Sequence, residues 1–112
     1  MTGFSRGDVV LVNFVFSDQS AVKRRPALIL ITDRYHENRQ EAIVAAITSN
    51  ISRLLMGDYR IKDWRRGGLL YPSVVTGIIR TVKQDMLHRK LGAISAGDQR
   101  SVEQKLRSIL GL

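Results

Sequence analysis

Short apolar segments alternate with polar ones over most of the chain. Residues 8–16 read DVVLVNFVF, residues 27–32 ALILIT and residues 41–48 EAIVAAIT, so apolar side chains fall on both faces of each extended segment. Residues 73–82, SVVTGIIRTV, form the longest β-branched stretch. Runs of this composition and length, bounded by polar residues, are typical of buried strands. We therefore predict a hairpin of 8–16 and 27–32 around a long polar loop, a third strand at 41–48 and a central strand at 73–82.

Weaker patterns predict the smaller elements. Gly77, inside the long β-branched stretch, indicates a bulge or a close approach of another backbone segment. The remaining segments are predicted to be a turn of helix in 33–40, a short exposed strand at 58–61, a tight turn at 65–68, one helical turn at 84–87 and a last strand at 90–94. The chain is therefore mainly β.

The C-terminal segment has the pattern of an amphipathic helix. Ser95 suits its N-cap and Gly111 its end. Apolar residues recur on one helical face, at i, i+4, i+7 and i+8: Val102, Leu106, Ile109 and Leu110. Several short strands followed by one helix predict a single domain over 1–112, a small half-open β-barrel with the helix packed on it.

The composition narrows the classes of function. The absence of cysteine excludes a disulfide framework, a thiolate metal site and a cysteine nucleophile. With no signal peptide and no apolar run of membrane-spanning length, we expect a cytoplasmic protein that does not enter a membrane. Eighteen lysines and arginines against ten acids give a formal charge of +8. Most of them are arginine, whose planar fork grips phosphate oxygens, which favours nucleic acid as the partner. An acidic protein segment, or charge that serves solubility alone, is the alternative.

Several classes of enzyme are excluded by what the sequence lacks. It contains no Walker loop and no GxGxxG, HExxH or GxSxG motif. Its acids are scattered singly, which disfavours a metal-dependent nuclease, and we expect no metal and no cofactor. His36 and His88 lie in polar segments and are expected at the surface. For phosphodiester cleavage this leaves attack by the 2′-hydroxyl of RNA, assisted by arginine and hydroxyl side chains.

Two positions could hold such groups at strand ends. Arg25 directly precedes Pro26, which biases Arg25 toward an extended backbone and would present its guanidinium at a strand entrance. Thr48 and Ser49 stand where the third predicted strand ends. From spacing alone, a solvated loop of charges around Arg25 and a turn with local side-chain caps after Thr48 are the simpler interpretations.

Four short motifs, taken in order, point to a known family. They are GDVVLV at 7–12 with KRRPALIL at 23–30, VAAITS at 44–49, PSVV at 72–75 and IRTV at 79–82. In this order they resemble the opening hairpin, the third strand and its exit, the approach to the central strand and the IRT element of the MazF/PemK toxins. GD followed by RRP is moderately specific, whereas the ordered set is highly specific and covers nearly the whole chain.

The resemblance implies a fold, an activity and partners. The fold is an SH3-like, CcdB-related barrel that forms a homodimer. The activity is that of a type II toxin, a sequence-selective endoribonuclease that cuts single-stranded mRNA to leave 2′,3′-cyclic phosphate and 5′-hydroxyl ends, and a cognate antitoxin blocks its groove. By motif position Arg25 would stabilise the pentacoordinate phosphate, and Thr48 would hold a phosphate oxygen or the 2′-hydroxyl. Arg25 is not expected to act as a base, because arginine is essentially never neutral.

Further residues are candidates for binding RNA or for acting as the general base. Trp64, beside two arginines, is the best aromatic for stacking a base, with a surface-to-core anchor as the alternative. Some family members carry an acid near 77–79, where this chain has GII. The general base is therefore unassigned, and Asp18 and His36 are spare candidates. Proposed contacts to RNA are Lys23, Arg24, Ser49, Asn50, Arg53 and Arg80. For Arg80, a purely structural role within its strand is an equal alternative.

Two other functions stay open. CcdB-like gyrase-binding toxins share the fold but depend on a C-terminal tryptophan, whereas this chain ends in ILGL. A non-catalytic barrel that binds RNA or a protein would account for the missing base.

Overall fold

The computed structural model describes residues 3–15 and 22–112, and this part of the chain folds into six strands and two helices. In chain order they are β1 Asp8–Val15, β2 Val22–Ile29, α1 Asp33–Asn38, β3 Glu41–Thr48, β4 Tyr59–Arg60, β5 Val74–Lys83, β6 Leu87–Ala93 and α2 Ala96–Leu110. A single 3-10 turn, Gln84–Met86, joins β5 to β6. The predicted class, mainly β with a terminal helix, is confirmed.

The strands form one antiparallel sheet in the order β4-β5-β3-β2-β1-β6. The sheet curves without closing, which confirms the half-open barrel. The predicted central place of 73–82 is wrong, because β5 lies next to the end of the sheet and only the two-residue β4 lies outside it. Val74 and Val75 at its start are buried, partly under α2, since Val75 and Val102 belong to one apolar cluster, whereas Ile78 is 60% exposed.

Two apolar clusters lie on opposite faces of the sheet. On β1, Val9 belongs to the cluster under α2, and its neighbour Val10 belongs to the cluster near α1. Leu28 and Ala27 of β2 divide in the same way. Because successive side chains of a strand point to opposite faces, the uninterrupted apolar runs of the sequence are those of strands covered on both sides.

The β1–β2 hairpin is longer than predicted. β2 begins at Val22, so Arg25, expected at the entrance of the strand, lies within it opposite Val12. Pro26 pairs with Leu11, while the ladder to β3 starts only at Ala27, as expected of a residue without an N–H. The bounds of β3 coincide with the predicted 41–48.

The close approach predicted at Gly77 is confirmed. A Cβ at this position would lie 3.1 Å from the carbonyl oxygen of Met56 and 3.4 Å from Cα of Gly57. The Gly77 N–H donates to Oδ1 of Asp58 at 2.9 Å. The loop before β4 therefore rests directly on the backbone of β5.

The terminal helix begins and ends as predicted. The Oγ of Ser95 accepts the N–H of Asp98 at 3.1 Å, and Gly111 adopts a left-handed conformation with φ 72°. Val102 is buried and Leu106 packs beside it, but Leu110 is 56% exposed. The apolar stripe of α2 thus extends beyond the core.

The two histidines differ in their surroundings. His88 is exposed, as expected. The expected exposure of His36 is wrong, because α1 holds its side chain beside Phe4 and Ser5 of the N-terminal segment with 6% of its surface exposed. Neither helix of the described residues combines the length and the apolar character that crossing a bilayer requires.

Candidate active site

The ends of β2 and β3 bring together the two residues expected to carry the chemistry. The β2–β3 ladder ends with Ala27 opposite Ala46. Arg25 and Thr48 each lie two residues past this last pair, on the same side of the ladder's end. Both residues line one open cleft of about 380 Å³. Two residues that are 23 positions apart in sequence therefore line the same cleft.

The lining of the cleft is partly apolar and partly polar. Its apolar residues include Leu11, Pro26 and Leu69, and Ile47 from β3 is 6% exposed. The polar lining comes from β2, β3 and β6 and from the approach to β5. The full lining is Leu11, Arg25, Pro26, Ile47, Thr48, Ser49, Gly68, Leu69, Leu70, Tyr71, Ser73, Arg89 and Leu91.

The hydroxyl of Thr48 is oriented by the turn that ends β3. Its Oγ1 accepts the N–H of Asn50 at 3.1 Å. Oδ1 of Asn50 in turn accepts the N–H of Ser52 at 3.3 Å and its hydroxyl at 2.7 Å. A hydroxyl has one proton and two lone pairs, so the bond from Asn50 leaves the Thr48 proton for donation. The turn after β3 therefore has the local side-chain caps that were expected. Thr48 takes part in one of them and also lines the cleft.

Arg89 is a site residue that the sequence reasoning missed. It lies opposite Leu11 in the β1–β6 ladder, and Pro26 lies opposite Leu11 in the β1–β2 ladder. Arg89 therefore reaches the cleft from the other side of β1. The only signal was the HRK run at 88–90, just before the predicted last strand, and nothing in it indicated which face the arginine occupies.

The rim of the cleft carries a second group that was not predicted. Leu70 and Tyr71 line the cleft and are 82% and 65% exposed. Ser73, only 3% exposed, donates its hydroxyl to the carbonyl oxygen of Tyr71 at 2.8 Å. For stacking a base, the sequence favoured Trp64 and gave no reason to choose Tyr71.

The charge of the lining is wholly positive. Arg25 and Arg89 are the charged residues of the lining, and none of the lining residues is an aspartate, a glutamate or a histidine. An anion would therefore meet positive charge without an opposing carboxylate among the lining residues.

The other predicted RNA contacts lie outside this lining, except Ser49. Lys23 and Arg24 are exposed on β2 next to Arg25, and Nε of Arg24 donates to Oδ1 of Asn13 at 3.1 Å. Asn50 and Arg53 are exposed in the loop after β3. On β5, the Arg80 guanidinium lies 4.9 Å from the centre of the Phe14 ring, a stacking that supports its structural alternative.

Of the two candidates for the general base, His36 lies outside the cleft. His36 lines a separate small pocket beside the N-terminal segment. Asp18 lies outside the described residues. Trp64, for its part, packs against the core cluster with the Arg65 guanidinium 4.5 Å from its ring centre, which supports the anchor alternative. In the described part of the chain, no three histidine or acidic side chains come together as a possible metal site.

One protein-family model covers nearly the whole chain. The model of the PemK-like, MazF-like toxin family of type II toxin-antitoxin systems matches residues 5–110. No curated protein matches the sequence at a significant level. Several solved structures share the fold.

Three of these structures illustrate the likeness. A MazE-MazF structure from Deinococcus radiodurans superposes with a TM-score of 0.80 at 23% identity, covering 97% of each chain. An endoribonuclease in complex with its cognate antitoxin from a Mycobacterial species gives 0.79 at 18% identity, over 98% of this chain and 97% of that chain. Toxin MazF-mt6 of Mycobacterium tuberculosis gives 0.77 at 24% identity, over 94% and 97%.

The match to the family model extends from the GDVVLV motif of the first strand to the end of the terminal helix. It includes all four motifs on which the sequence resemblance depends. The six-stranded open sheet with its C-terminal helix is also the fold of the solved MazF structures. This chain belongs to the PemK-like, MazF-like toxin family of type II toxin-antitoxin systems.

Proposed function

We propose that this toxin is a sequence-selective endoribonuclease that cuts single-stranded mRNA. The observation that carries the proposal is that Arg25 and Thr48, on neighbouring strands, line one open, positively charged cleft. Its volume of about 380 Å³ lies in the range of small-ligand sites, enough for a nucleotide. Two solved structures of the same fold are named endoribonucleases, which supports the assignment. Single-stranded RNA is the expected form, because its bases can be splayed out and read.

The proposed reaction is an internal transesterification. The ribose 2′-oxygen attacks the adjacent phosphorus, the bond from phosphorus to the 5′-oxygen breaks, and the products are a 2′,3′-cyclic phosphate and a 5′-hydroxyl. The Arg25 guanidinium stabilises the charge that develops on the pentacoordinate phosphate. Thr48, oriented by the N–H of Asn50, donates its hydroxyl proton to a phosphate oxygen. The 2′-proton is lost to water, directly or through a general base, and the leaving 5′-oxygen takes up a proton from water.

We assign no metal and no cofactor to this reaction. The positive charge that a divalent cation would supply comes from arginine instead. The lining offers no carboxylate, the ligand that Mg²⁺ prefers. Cleavage should therefore continue in the presence of a chelator.

The RNA is proposed to extend past the cleft along both of its walls. Lys23 and Arg24 continue β2 beyond Arg25, and their exposed charges suit backbone phosphates. Ser49, Asn50 and Arg53 follow Thr48 on the other wall. Arg80 is the remaining proposed contact, although its stacking on Phe14 gives it a structural role as well.

We further propose that the protein is a homodimer that works in the cytoplasm and is inhibited by a cognate antitoxin. Solved relatives of this fold include toxin-antitoxin complexes. An apolar groove of about 480 Å³ beside the end of α2 is lined largely by Leu30, Ile31, Ile43, Ile79, Leu106, Leu110 and Leu112. Exposed apolar surface of this kind is typical of protein interfaces, and we assign it to the second copy. Leu110→Glu should convert the dimer to monomers in sedimentation velocity runs.

The test of the nuclease uses purified protein and a long single-stranded RNA in excess EDTA. Arg25→Ala and Thr48→Ala are compared with Arg100→Ala, which removes an exposed guanidinium of α2 outside the cleft. We expect cuts at a few short sequences, with cyclic phosphate and 5′-hydroxyl ends. Arg25→Ala should abolish them and Arg100→Ala should leave them unchanged.

Other outcomes would contradict the proposal. Salt-sensitive binding of RNA without cuts would indicate a non-catalytic barrel. Uncut RNA together with inhibition of gyrase would indicate a toxin that acts on a protein. Cleavage that needs Mg²⁺ would disprove the metal-free mechanism.

A further inference from the structure

The rim of the cleft exposes two large side chains. Leu70 and Tyr71 are adjacent, 82% and 65% exposed, and both line the same cleft as Arg25. Single exposed apolar side chains are ordinary on protein surfaces. An aromatic ring beside a leucine at the mouth of a cationic cleft is instead the arrangement of a binding surface.

The segment that carries this rim is fixed on the side of β6. Gly68 has a φ of +76°, and a Cβ at this position would lie 2.1 Å from the carbonyl oxygen of Leu91. A Cβ on Gly92 would similarly lie 2.6 Å from the carbonyl oxygen of Arg66. The 66–68 turn therefore packs backbone to backbone on β6, in a way that only glycine allows.

The rim is also fixed on the side of β5. The buried Ser73 donates its hydroxyl to the carbonyl oxygen of Tyr71, and the Ser73 carbonyl accepts the N–H of Ile61 at 3.0 Å. With both flanks anchored, the backbone that carries Tyr71 is held while its ring stays open to solvent. Little conformational entropy is then lost when a partner covers the ring.

A nucleotide has two chemical features that suit this lining. Its phosphate suits Arg25, Arg89 and Thr48, because the lining residues carry two positive charges and no acid. Its base presents a flat π face, which stacks favourably on an aromatic side chain. In a duplex both faces of a base are already covered by stacking, so such a site takes only an unpaired base.

We propose that Tyr71 is the stacking platform for an unpaired base of the RNA strand whose phosphates contact Arg25 and Arg89. This inference rests on the proposed function of the same cleft. It assigns the discrimination between single and double strands to the Leu70–Tyr71 rim, and it gives Arg89 the role of a second phosphate contact.

Binding and cleavage are measured separately. The probe is a fluorescein-labelled, mixed-sequence, single-stranded RNA of about 20 nucleotides with 2′-O-methyl riboses, which has no 2′-hydroxyl for attack. Fluorescence anisotropy gives its affinity for the wild type, Tyr71→Ala and Tyr71→Phe over a range of salt concentrations. Ile78→Ala, which removes an exposed apolar side chain outside the cleft, is the matched control.

The expected results follow from stacking. Tyr71→Ala should weaken binding of the single strand about 5- to 100-fold, whereas Tyr71→Phe, which keeps the ring, should stay within about twofold of the wild type. The salt dependence of Tyr71→Ala should equal that of the wild type, because stacking releases no counterions. Ile78→Ala should bind normally, and the midpoint of thermal unfolding should be the same for all variants.

Three results would overturn the inference. If Tyr71→Ala binds the single strand like the wild type while Arg25→Ala does not, the rim does not stack a base although the cleft binds RNA. If Tyr71→Phe is as weak as Tyr71→Ala, the hydroxyl and not the ring makes the contact. If the wild type neither binds this probe nor cuts RNA, the proposed function fails together with the platform.

Discussion

The carboxylate of Asp98 accepts a hydrogen bond of 2.6 Å from the hydroxyl of Tyr59, which ties the first turn of α2 to β4. The same carboxylate accepts the backbone N–H groups of Lys62 at 3.1 Å and Asp63 at 3.0 Å. With 1% of its surface exposed, Asp98 is the most deeply buried acid of the described residues. It holds the segment that leads from β4 toward the cleft rim against the helix.

The first prediction concerns the stability that this carboxylate provides. Asp98→Asn keeps the shape of the side chain but removes the charge, and Tyr59→Phe removes one donor. Each should lower the free energy of unfolding by about 1 to 3 kcal/mol, because hydrogen bonds to charged groups are among the stronger ones. Urea denaturation followed by circular dichroism measures this. Unchanged stability in both variants would show that the Asp98 carboxylate and its bond from Tyr59 do not stabilise the fold.

The second prediction is the pH dependence of that stability. Burial raises the pKa of Asp98, but the hydrogen bonds from Tyr59 and from the Asp63 and Lys62 amides outweigh it and bring the pKa below its ordinary value. A lowered pKa in the folded state contributes stability above the unfolded pKa of about 4, which is lost as the pH falls through the folded value. The free energy of unfolding should drop below about pH 4, and Asp98→Asn should reduce the drop. If the free energy of unfolding fell equally in the wild type and in Asp98→Asn below about pH 4, this prediction would be wrong.

The third prediction compares two glycines. Gly68→Ala places a methyl group 2.1 Å from the Leu91 carbonyl oxygen at a positive φ, and should destabilise the fold by more than about 1 kcal/mol. Gly97→Ala, in the first turn of α2, meets its nearest atom only at 3.9 Å and should stabilise by about 0.4 to 1 kcal/mol. Thermal unfolding midpoints should therefore move in opposite directions. A tolerated Gly68→Ala would contradict the backbone contact with β6.

The fourth prediction isolates the Thr48 hydroxyl. Thr48→Val keeps the branched shape and should reduce kcat for RNA cleavage about 10²- to 10³-fold, as expected when one donor to the transition state is lost. Thr48→Ser keeps the hydroxyl and should retain most of the activity. Thr81→Val, an exposed β5 residue outside the cleft lining, is the control and should cut normally. If Thr48→Val cut RNA as fast as the wild type, the assigned role would be wrong.

The fifth prediction concerns the contribution of the two cleft arginines to the salt dependence of RNA binding. Arg25→Ala and Arg89→Ala should each reduce the slope of log affinity against log salt by about 0.7, the value for one phosphate contact of a single strand. Lys105→Ala on α2, exposed and outside the cleft lining, should leave the slope unchanged. Slopes that are identical in all three variants would place the RNA elsewhere.

The sequence by itself determined the elements whose signals are local. The uninterrupted apolar runs specified β1 and β3, since strands covered on both faces need such residues, and Ser95 and Gly111 specified the two ends of α2. Glycine at position 77 indicated a backbone contact, and the four ordered motifs indicated the family. Each of these signals is a matter of a few neighbouring residues and their conformational preferences.

The tertiary structure alone decided what depends on partners distant in sequence. No local pattern shows that β5 lies near the edge of the sheet, that His36 is buried by the N-terminal segment, or that β2 begins before its charged residues. Arg89 and Tyr71 reach the cleft of Arg25 only because β1 separates β2 from β6 and the 66–68 turn rests on β6. Spacing along a chain fixes side-chain direction within one element, but the packing of several elements fixes which side chains meet.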